Sequence, residues 1–201
     1  MEIRPFIDSE RDEVVEILAN AYLGNPLHLA VFGGAGAEQL QQHRALFAIS
    51  LELLDTGSKV VAVEDGRIVG FAHWISFPGC RPSAEVMGST APQLLAELGH
   101  DVLSRVITWR RAWGEQDPEA PHSHFGAFAV HPDAQSKGFG RRLMEYYCEV
   151  VDETGETSYL ETERPENLGI YRKAGFEVTA ERDVLGLPSW FMTRAARVRA
   201  V

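Results

Sequence analysis

The chain has 201 residues, of which 45% are hydrophobic and 24% are charged. This composition is typical of a globular protein with a full core, and the length fits a single domain over residues 1–201. The formal net charge is −10, from 29 acidic against 19 basic residues. That balance disfavours nucleic-acid binding by a basic surface and mildly favours a cationic partner.

Cysteine content and hydropathy indicate the compartment. The two cysteines, Cys80 and Cys148, are too few for a disulfide framework and form no Cys-x-x-Cys pair. The amino terminus lacks the basic region and apolar segment of a signal peptide, and no apolar run approaches the ~20 residues that cross a bilayer. We therefore expect a cytoplasmic protein that does not enter a membrane.

The amino-terminal part of the chain alternates helix and strand patterns. Alternation, helical periodicity and turn residues predict a strand at 2–6, a helix from Ser9 to Gly24, a helix at 37–55, and hairpin strands at 59–64 and 67–75. Asp65-Gly66 between the last two runs is the strongest hairpin signal of the chain. We interpret the glycine-rich run from Phe32 to Gly36 as a connector, because no strand precedes it and no basic residue lies near it.

The segment after the hairpin, about residues 77–121, is interpreted as an insertion. Its Pro-, Gly- and Ser-rich start, residues 77–90, predicts a loop, and the rest predicts a helix to Trp113 with a break near Gly99. Trp109 and Trp113 repeat at helical spacing. They either pack in the core, which is the usual role of such aromatics, or form the wall of a pocket.

The most informative stretch runs from His124 to Met144. Its apolar part, Phe125 to Val130, predicts a buried strand that ends where a proline follows. The glycine-rich run Gln135 to Gly140 comes next and opens a helix. Free N–H groups at such a helix start suit a phosphate or pyrophosphate. Three basic side chains add positive charge: Lys137, Arg141 and Arg142.

Two familiar phosphate-binding motifs do not fit this stretch. A dinucleotide fingerprint requires glycine or alanine three residues after its second glycine, where this chain has Leu143, and a P-loop motif occurs nowhere. The run Gln135 to Gly140 instead closely resembles the acyl-CoA pyrophosphate loop of GNAT-superfamily acetyltransferases, Gln/Arg-x-x-Gly-x-Gly/Ala. A second stretch, Asn167 to Phe176, resembles the last helix of that family, which carries Tyr and then Gly-Phe.

The resemblance covers the whole chain and implies a fold and an activity. The fold is α/β (α+β), a mixed and mostly antiparallel sheet of about seven strands flanked by helices, with the insertion between strands 3 and 4. The implied activity is acetyl-CoA-dependent transfer of an acetyl group to the primary amine of a small molecule by direct attack. Over residues 122–195 the chain is most similar to the antibiotic-modifying branch typified by puromycin acetyltransferase.

Two other functions stay open. One is acetylation of a peptide or protein amine, and the other is a non-catalytic acyl-CoA sensor, against which Tyr171 argues because a sensor needs no positioned acid. A homodimer is compatible with the sequence, which does not decide the oligomeric state.

The resemblance also implies roles for individual residues. The implied cofactor-binding residues are Phe128, Ala129, Val130, Gln135, Ser136, Lys137, Gly138, Phe139, Gly140, Arg141 and Asn167. Tyr171 is the implied acid for the leaving thiolate, since a phenol of pKa ~10 is protonated at neutral pH. The alternatives are a packing aromatic for Tyr171 and a helix cap for Asn167. The oxyanion partner is the backbone N–H of Ala129 or Val130.

The base is less defined. Glu161 lies mid-strand between apolar neighbours and ranks first, either as base or as an anion that binds the amine. A route without a dedicated base, in which water or the local field deprotonates the amine, ranks next, followed by a water relay through His122 and His124 on one face of a strand. The other histidines show no metal-ligand spacing, so no metal site is expected: His28, His43, His73 and His100.

The acceptor site is predicted from the irregular segments. The connector from Gly33 to Gly36 and the insertion 77–121 are placed to border an acceptor groove. We expect a partly enclosed pocket for a compact amine, with the insertion helix as one wall.

Overall fold

The structure is a computed structural model that describes residues 1–34, 36–53 and 56–197. Its strands are β1 (Glu2–Pro5), β2 (Ser58–Glu64), β3 (Arg67–Ser76), β4 (His122–Val130), β5 (Thr157–Thr162), β6 (Glu177–Val184) and β7 (Leu187–Arg194). Its α-helices are α1 (Arg11–Ala21), α2 (Pro26–Phe32), α3 (Ala37–Leu53), α4 (Ala84–Gly114), α5 (Phe139–Thr154) and α6 (Pro165–Ala174).

The strands form one seven-stranded sheet in the order β1-β2-β3-β4-β5-β7-β6. Every neighbouring pair is antiparallel except β4 and β5, which are parallel. Helix α4 lies between β3 and β4 in the chain, where the insertion was predicted. The predicted fold class, a mixed and mostly antiparallel sheet flanked by helices, is confirmed.

The parallel pair β4/β5 is only briefly joined. Its recorded partners are His122 with Thr157, Ser123 with Ser158, and His124 with Tyr159. The rest of β4, from residue 125 to 130, pairs with β3 alone. One edge of that stretch is therefore left without a strand partner, and the sheet opens between β4 and β5.

Alternating strand residues face two helical layers. Val60, Ala72 and Trp74 pack with α5 and α6 on one side, whereas Val61 and Phe71 pack with α1 and α3 on the other. This period of two is what a sheet buried on both faces requires. A third apolar cluster joins α2, α3 and α4 beyond the sheet.

Two helix predictions were wrong. The sequence reading had no helix at α2, although Asn25 accepts from the backbone N–H of His28 at 3.0 Å and Pro26 occupies the first turn. The predicted loop 77–90 also gives way to α4, which begins at Ala84 behind a Ser83 cap. The expected break at Gly99 is confirmed by its φ of 74°.

Other boundaries need smaller corrections. The turn residues at 186–189 predict a last strand from Trp190 to Ala195, but β7 begins three residues earlier, at Leu187, because the turn lies at Leu185 and Gly186. The predicted helix at 37–55 is α3, and positions 54–55 lie outside the described residues. In the described part of the chain, no helix has both the length and the apolar character required to span a membrane.

Candidate active site

The gap between β4 and β5 opens into a cavity of about 710 Å³. One half is lined by the open edge of β4, the loop after it, and the starts of α5 and α6. The other half is lined by residues at the end of α1 and from α2, α3 and α4. We call these the cofactor half and the acceptor half.

Most predicted cofactor residues line the cofactor half. Ten of them do so: Phe128, Ala129, Val130, Gln135, Ser136, Gly138, Phe139, Gly140, Arg141 and Asn167. Lys137 is absent from the lining, and its ammonium donates to the Asp133 carbonyl at 2.9 Å. Arg164 is the N-cap residue of α6, so the alternative in which Asn167 caps that helix is wrong.

The start of α5 suits a phosphate. Its N-cap Gly138 has φ 89° and no side-chain cap, and the first turn of a helix offers N–H groups without intrahelical acceptors. Of the two loop glycines, Gly138 has a positive φ and Gly140 does not. A Cβ at Gly140 would lie 3.4 Å from the Phe128 ring, which is an ordinary contact.

The open edge of β4 presents backbone donors to the cavity. The Phe128 carbonyl accepts from the Tyr22 hydroxyl at 3.2 Å, and the Val130 carbonyl accepts from the Gln135 amide at 3.2 Å. Because the N–H and C=O of one strand residue face the same edge, both residues direct their N–H groups away from β3. The Ala129 N–H then faces β3, which leaves Val130 as the better of the two predicted oxyanion donors.

Two tyrosines meet near the centre of the cavity. Tyr171 on α6 is 7% exposed, lines the cavity, and has no hydroxyl hydrogen bond within the described ranges. Burial raises the pKa of Tyr171 above its ordinary value, and Tyr22 and Glu163 raise it further. Burial likewise raises the pKa of Tyr22 to about 12. Both hydroxyls therefore carry their protons at neutral pH.

Two carboxylates at the end of β5 also line the cavity. Glu161 lies in the strand and Glu163 follows its last residue, Thr162, and both contribute to the lining. The Glu161 side chain is 4% exposed and contacts His124 Nε2 at 2.9 Å. Glu163 accepts a hydrogen bond from the Asn25 side chain, and burial raises the pKa of this carboxyl.

His124 lies between two acids. Its Nε2 faces Glu161, and its Nδ1 lies 3.2 Å from an Asp117 oxygen. Burial alone lowers the pKa of His124, but the charge of Glu161 and the hydrogen bond to Asp117 outweigh it and hold the pKa well above the usual value. His124 lines the cavity, whereas His122 lies behind it.

A pair of neutral histidines supports the acceptor half. His43 Nδ1 lies 3.1 Å from the Ala19 carbonyl, and His43 Nε2 lies 3.1 Å from His28 Nδ1. Burial lowers the pKa of both imidazoles. Since a carbonyl only accepts, His43 donates to Ala19 and accepts from His28. His28 lines the cavity and keeps its Nε2 as an acceptor.

The acceptor half is lined by aromatic side chains and by the half-buried Arg110. Phe47, Trp109 and Trp113 line it, and Trp109 also packs in the core cluster of α2, α3 and α4. Trp109 therefore serves both roles considered from the sequence. Arg110 also lines this half, and burial lowers the pKa of its guanidinium. Its only hydrogen-bond partner in the described chain is the Ser50 hydroxyl at 3.1 Å.

Sequence reasoning missed several cavity residues. Tyr22 had been placed only on an apolar helix stripe, and Asn25 only at a helix end. Glu163 had a usable signal, since it follows Glu161 at a spacing of two. The connector was expected to border the acceptor site, but its described residues Gly33, Gly34 and Gly36 do not line the cavity; residue 35 lies outside the described ranges.

Comparison with known proteins gives one consistent result. The sequence profile of the acetyltransferase (GNAT) family matches residues 28–176. The peptidyl-lysine N-acetyltransferase YjaB of Salmonella typhimurium is 29% identical over 100 residues, which cover 47% of this chain and 68% of that protein.

Solved structures give the same fold over the full length. A histone acetyltransferase HPA2-related acetyltransferase of Corynebacterium glutamicum superposes with a TM-score of 0.75 at 22% identity, covering 99% of this chain and 98% of that one. The acetyltransferase YncA of Salmonella typhimurium, solved with its cofactor acetyl-CoA, has a TM-score of 0.59 at 18% identity, covering 100% and 96%. This chain therefore belongs to the GNAT family and is an acetyl-CoA-dependent N-acetyltransferase.

Proposed function

We propose that the acceptor is a compact primary amine bound between α2, α3 and α4. The observation that carries this proposal is the aromatic wall of α3 and α4, which lines the acceptor half of the cavity that also holds Tyr171 and Glu161. A wall of this kind favours a small hydrophobic molecule. A peptide would need room to enter and leave the site.

The proposed reaction is direct attack of the amine on the thioester carbonyl. Glu161 receives the ammonium group and takes its proton, and Glu163, just after the end of β5, is the alternative acceptor. A C–N bond forms as the C–S bond breaks, with the Val130 N–H donating to the oxygen that gains charge. The thiolate takes the Tyr171 hydroxyl proton, and the phenolate regains a proton from the nitrogen that has become the amide. The high pKa of Tyr171 supports this role, because it keeps the proton available at neutral pH.

The acceptor is further proposed to carry an anionic group. Arg110 is a half-buried cation whose hydrogen-bond partner in the described residues is a neutral hydroxyl. A partly desolvated guanidinium of this kind favours a ligand carboxylate or similar group, which would bind by charge-assisted hydrogen bonds. The acceptor would then be zwitterionic, with its ammonium toward Glu161 and its anion toward Arg110.

Acetylation of a peptide is the second candidate. It is favoured by the similarity to YjaB, which is a peptidyl-lysine N-acetyltransferase. The likeness of residues 122–195 to the puromycin branch stays a prediction and favours the small-molecule acceptor.

The test is a competition series at fixed acetyl-CoA, with free thiol release as the readout. The series contains compact aromatic amines with and without a carboxylate, an aminonucleoside, and short peptides with a free amino terminus or lysine. We expect the highest kcat/KM for a compact amine with a carboxylate. Peptides that exceed every compact amine would replace the proposal with the second candidate.

A further inference from the structure

Four side chains with metal-binding atoms converge behind the cavity. Cys80 comes from the segment after β3, Asp117 from the segment after α4, and His122 and His124 from β4. One ligand atom from each lies within 4.8 Å of the other three. The set is one thiol, one carboxylate and two imidazoles, which is a donor set typical of zinc.

The measured separations fit a tetrahedral ion. Cys80 Sγ lies 3.6 Å from His122 Nε2, which lies 3.5 Å from Asp117 Oδ1. His124 Nδ1 lies 3.2 Å from Asp117 Oδ2. Bonds of about 2.0–2.3 Å at tetrahedral angles put neighbouring ligand atoms roughly 3.3–3.6 Å apart. Closing the longer separations around an ion requires side-chain shifts on the order of 1 Å.

Hydrogen bonds from the second ring nitrogen of His122 and of His124 orient both imidazoles as ligands. His122 Nδ1 donates to the Ala120 carbonyl at 2.8 Å, which leaves Nε2 with its lone pair toward Cys80. His124 Nε2 donates to the Glu161 carboxylate at 2.9 Å, and Nδ1 faces Asp117, where the ion would displace its proton. A metal-binding histidine almost always has such an acceptor on its second nitrogen.

The charges around the cluster balance. A thiolate and a carboxylate neutralise a divalent cation, and the side chains of Asp117 and His122 are 6% and 1% exposed. Arg81 contacts Asp117 Oδ1 at 3.2 Å from outside, and its charge is matched by Glu161 on the far side of His124. A buried ion whose charge is cancelled by its ligands avoids the cost of an unpaired charge.

We propose that Cys80, Asp117, His122 and His124 bind one zinc-type divalent cation. With four protein ligands the ion has no open position, so its role is structural. It fastens the segments after β3 and α4 to β4, and it fixes the imidazole that holds Glu161. The ion's binding does not rest on the proposed function, because Cys80, Asp117 and His122 lie outside the cavity lining, and His124, which lines the cavity, has no role in the proposed reaction.

The test uses tag-free protein, freed of metal by a chelator and titrated with Zn²⁺ or Co²⁺. We expect one ion per chain, a higher melting temperature with metal, and a cobalt spectrum with tetrahedral d–d bands and a thiolate charge-transfer band. Cys80→Ser should remove the charge-transfer band and lower the affinity for the ion. The loss should exceed the roughly 10- to 100-fold that follows when a residue hydrogen-bonded to a metal ligand is removed. Asp117→Asn, which keeps the side-chain shape, should weaken binding without removing that band.

The matched control is Cys148→Ser, at the other cysteine of the chain. Cys148 is buried on α5 and contacts Met144 rather than the cluster, so its replacement should leave the cobalt spectrum unchanged. Two results would overturn the proposal. One is wild-type protein that binds neither Zn²⁺ nor Co²⁺ stoichiometrically, which makes the cluster a hydrogen-bonded network only. The other is an unchanged thiolate band in Cys80→Ser.

Discussion

The two halves of the cavity are encoded differently in the chain. The cofactor half comes mostly from one continuous stretch, residues 128–141, in which a strand edge, a turn and a helix start follow one another. The acceptor half is assembled from four helices, and its Ser50–Arg110 contact joins residues 60 positions apart. A ligand site built from the backbone of one continuous stretch can be recognised as a motif in the sequence. A site built from side chains of separate helices cannot.

This difference predicts two kinds of mutational effect. Changes at the reacting atoms or in the cofactor half should affect every acceptor amine alike, because all acceptors share acetyl-CoA. Changes in the acceptor half should instead alter the ranking of acceptors. Each experiment below therefore compares at least two amines.

The largest effect is expected from Tyr171→Phe. Loss of a general acid typically costs about 10²–10⁴-fold, so kcat should fall by that amount for every amine while the affinity for acetyl-CoA stays constant. Because the Tyr171 hydroxyl has no hydrogen-bond partner in the described chain, its removal should not alter the melting temperature greatly. Tyr146→Phe is the matched control, since Tyr146 lies outside the cavity lining. Wild-type turnover in Tyr171→Phe would make this tyrosine a packing residue.

Local signals explain what the sequence predicted well. The Asp65-Gly66 hairpin and helix α6 follow from turn residues, a proline at the helix start and Gly175 past its end. The cofactor loop followed from six consecutive positions. In each case the information lies within about ten residues of the structure it specifies, so no tertiary contact had to be known.

Tertiary contacts explain the features that could not be predicted from the sequence. Helix α2 has seven residues, which is too short to be stable alone, and its burial between α3 and α4 is what maintains it. Glu163 gains its partner Asn25 from a position 138 residues earlier. The proposed ion ligands Cys80, Asp117 and His124 likewise come from three segments, so no local spacing motif marks them.

The two cavity carboxylates, Glu161 and Glu163, give the next comparison. Glu161→Gln should lower kcat about 100-fold for every amine, at the low end of the range for a lost general base. Glu163→Gln should lower it less than about tenfold, because Glu163 mainly accepts a hydrogen bond from Asn25. Initial rates at saturating acetyl-CoA and amine measure both. The reverse order would transfer the role of base to Glu163.

Arg110→Gln tests the acceptor half alone. A hydrogen bond to a charged group is worth about 1.5–3 kcal/mol, so kcat/KM for an amine with a carboxylate should fall about 10- to 100-fold. The same amine without its carboxylate should react at the wild-type rate. Arg111→Gln is the matched control, because Arg111 is exposed and pairs with Glu115. Equal losses for both amines in Arg110→Gln would refute the anionic-acceptor proposal.

The smallest effects concern the two glycines of the cofactor half, and they separate ligand binding from backbone strain. At Gly140 an added Cβ meets Phe128 at 3.4 Å and Val130 at 3.6 Å, which are ordinary contacts, so the fold should tolerate a side chain. The larger Gly140→Val should still obstruct the helix start and weaken acetyl-CoA binding about tenfold, the value of one lost charge-assisted hydrogen bond.

Gly138 has open space around it, so the cost of Gly138→Ala comes from its φ of 89°. That cost is about 1 kcal/mol or more and should appear as a lower melting temperature. Calorimetric titration of acetyl-CoA and thermal unfolding of both variants distinguish the two effects. Unchanged acetyl-CoA affinity in a folded Gly140→Val protein would remove the start of α5 from the cofactor site, and with it the contrast between a locally encoded half and an assembled one.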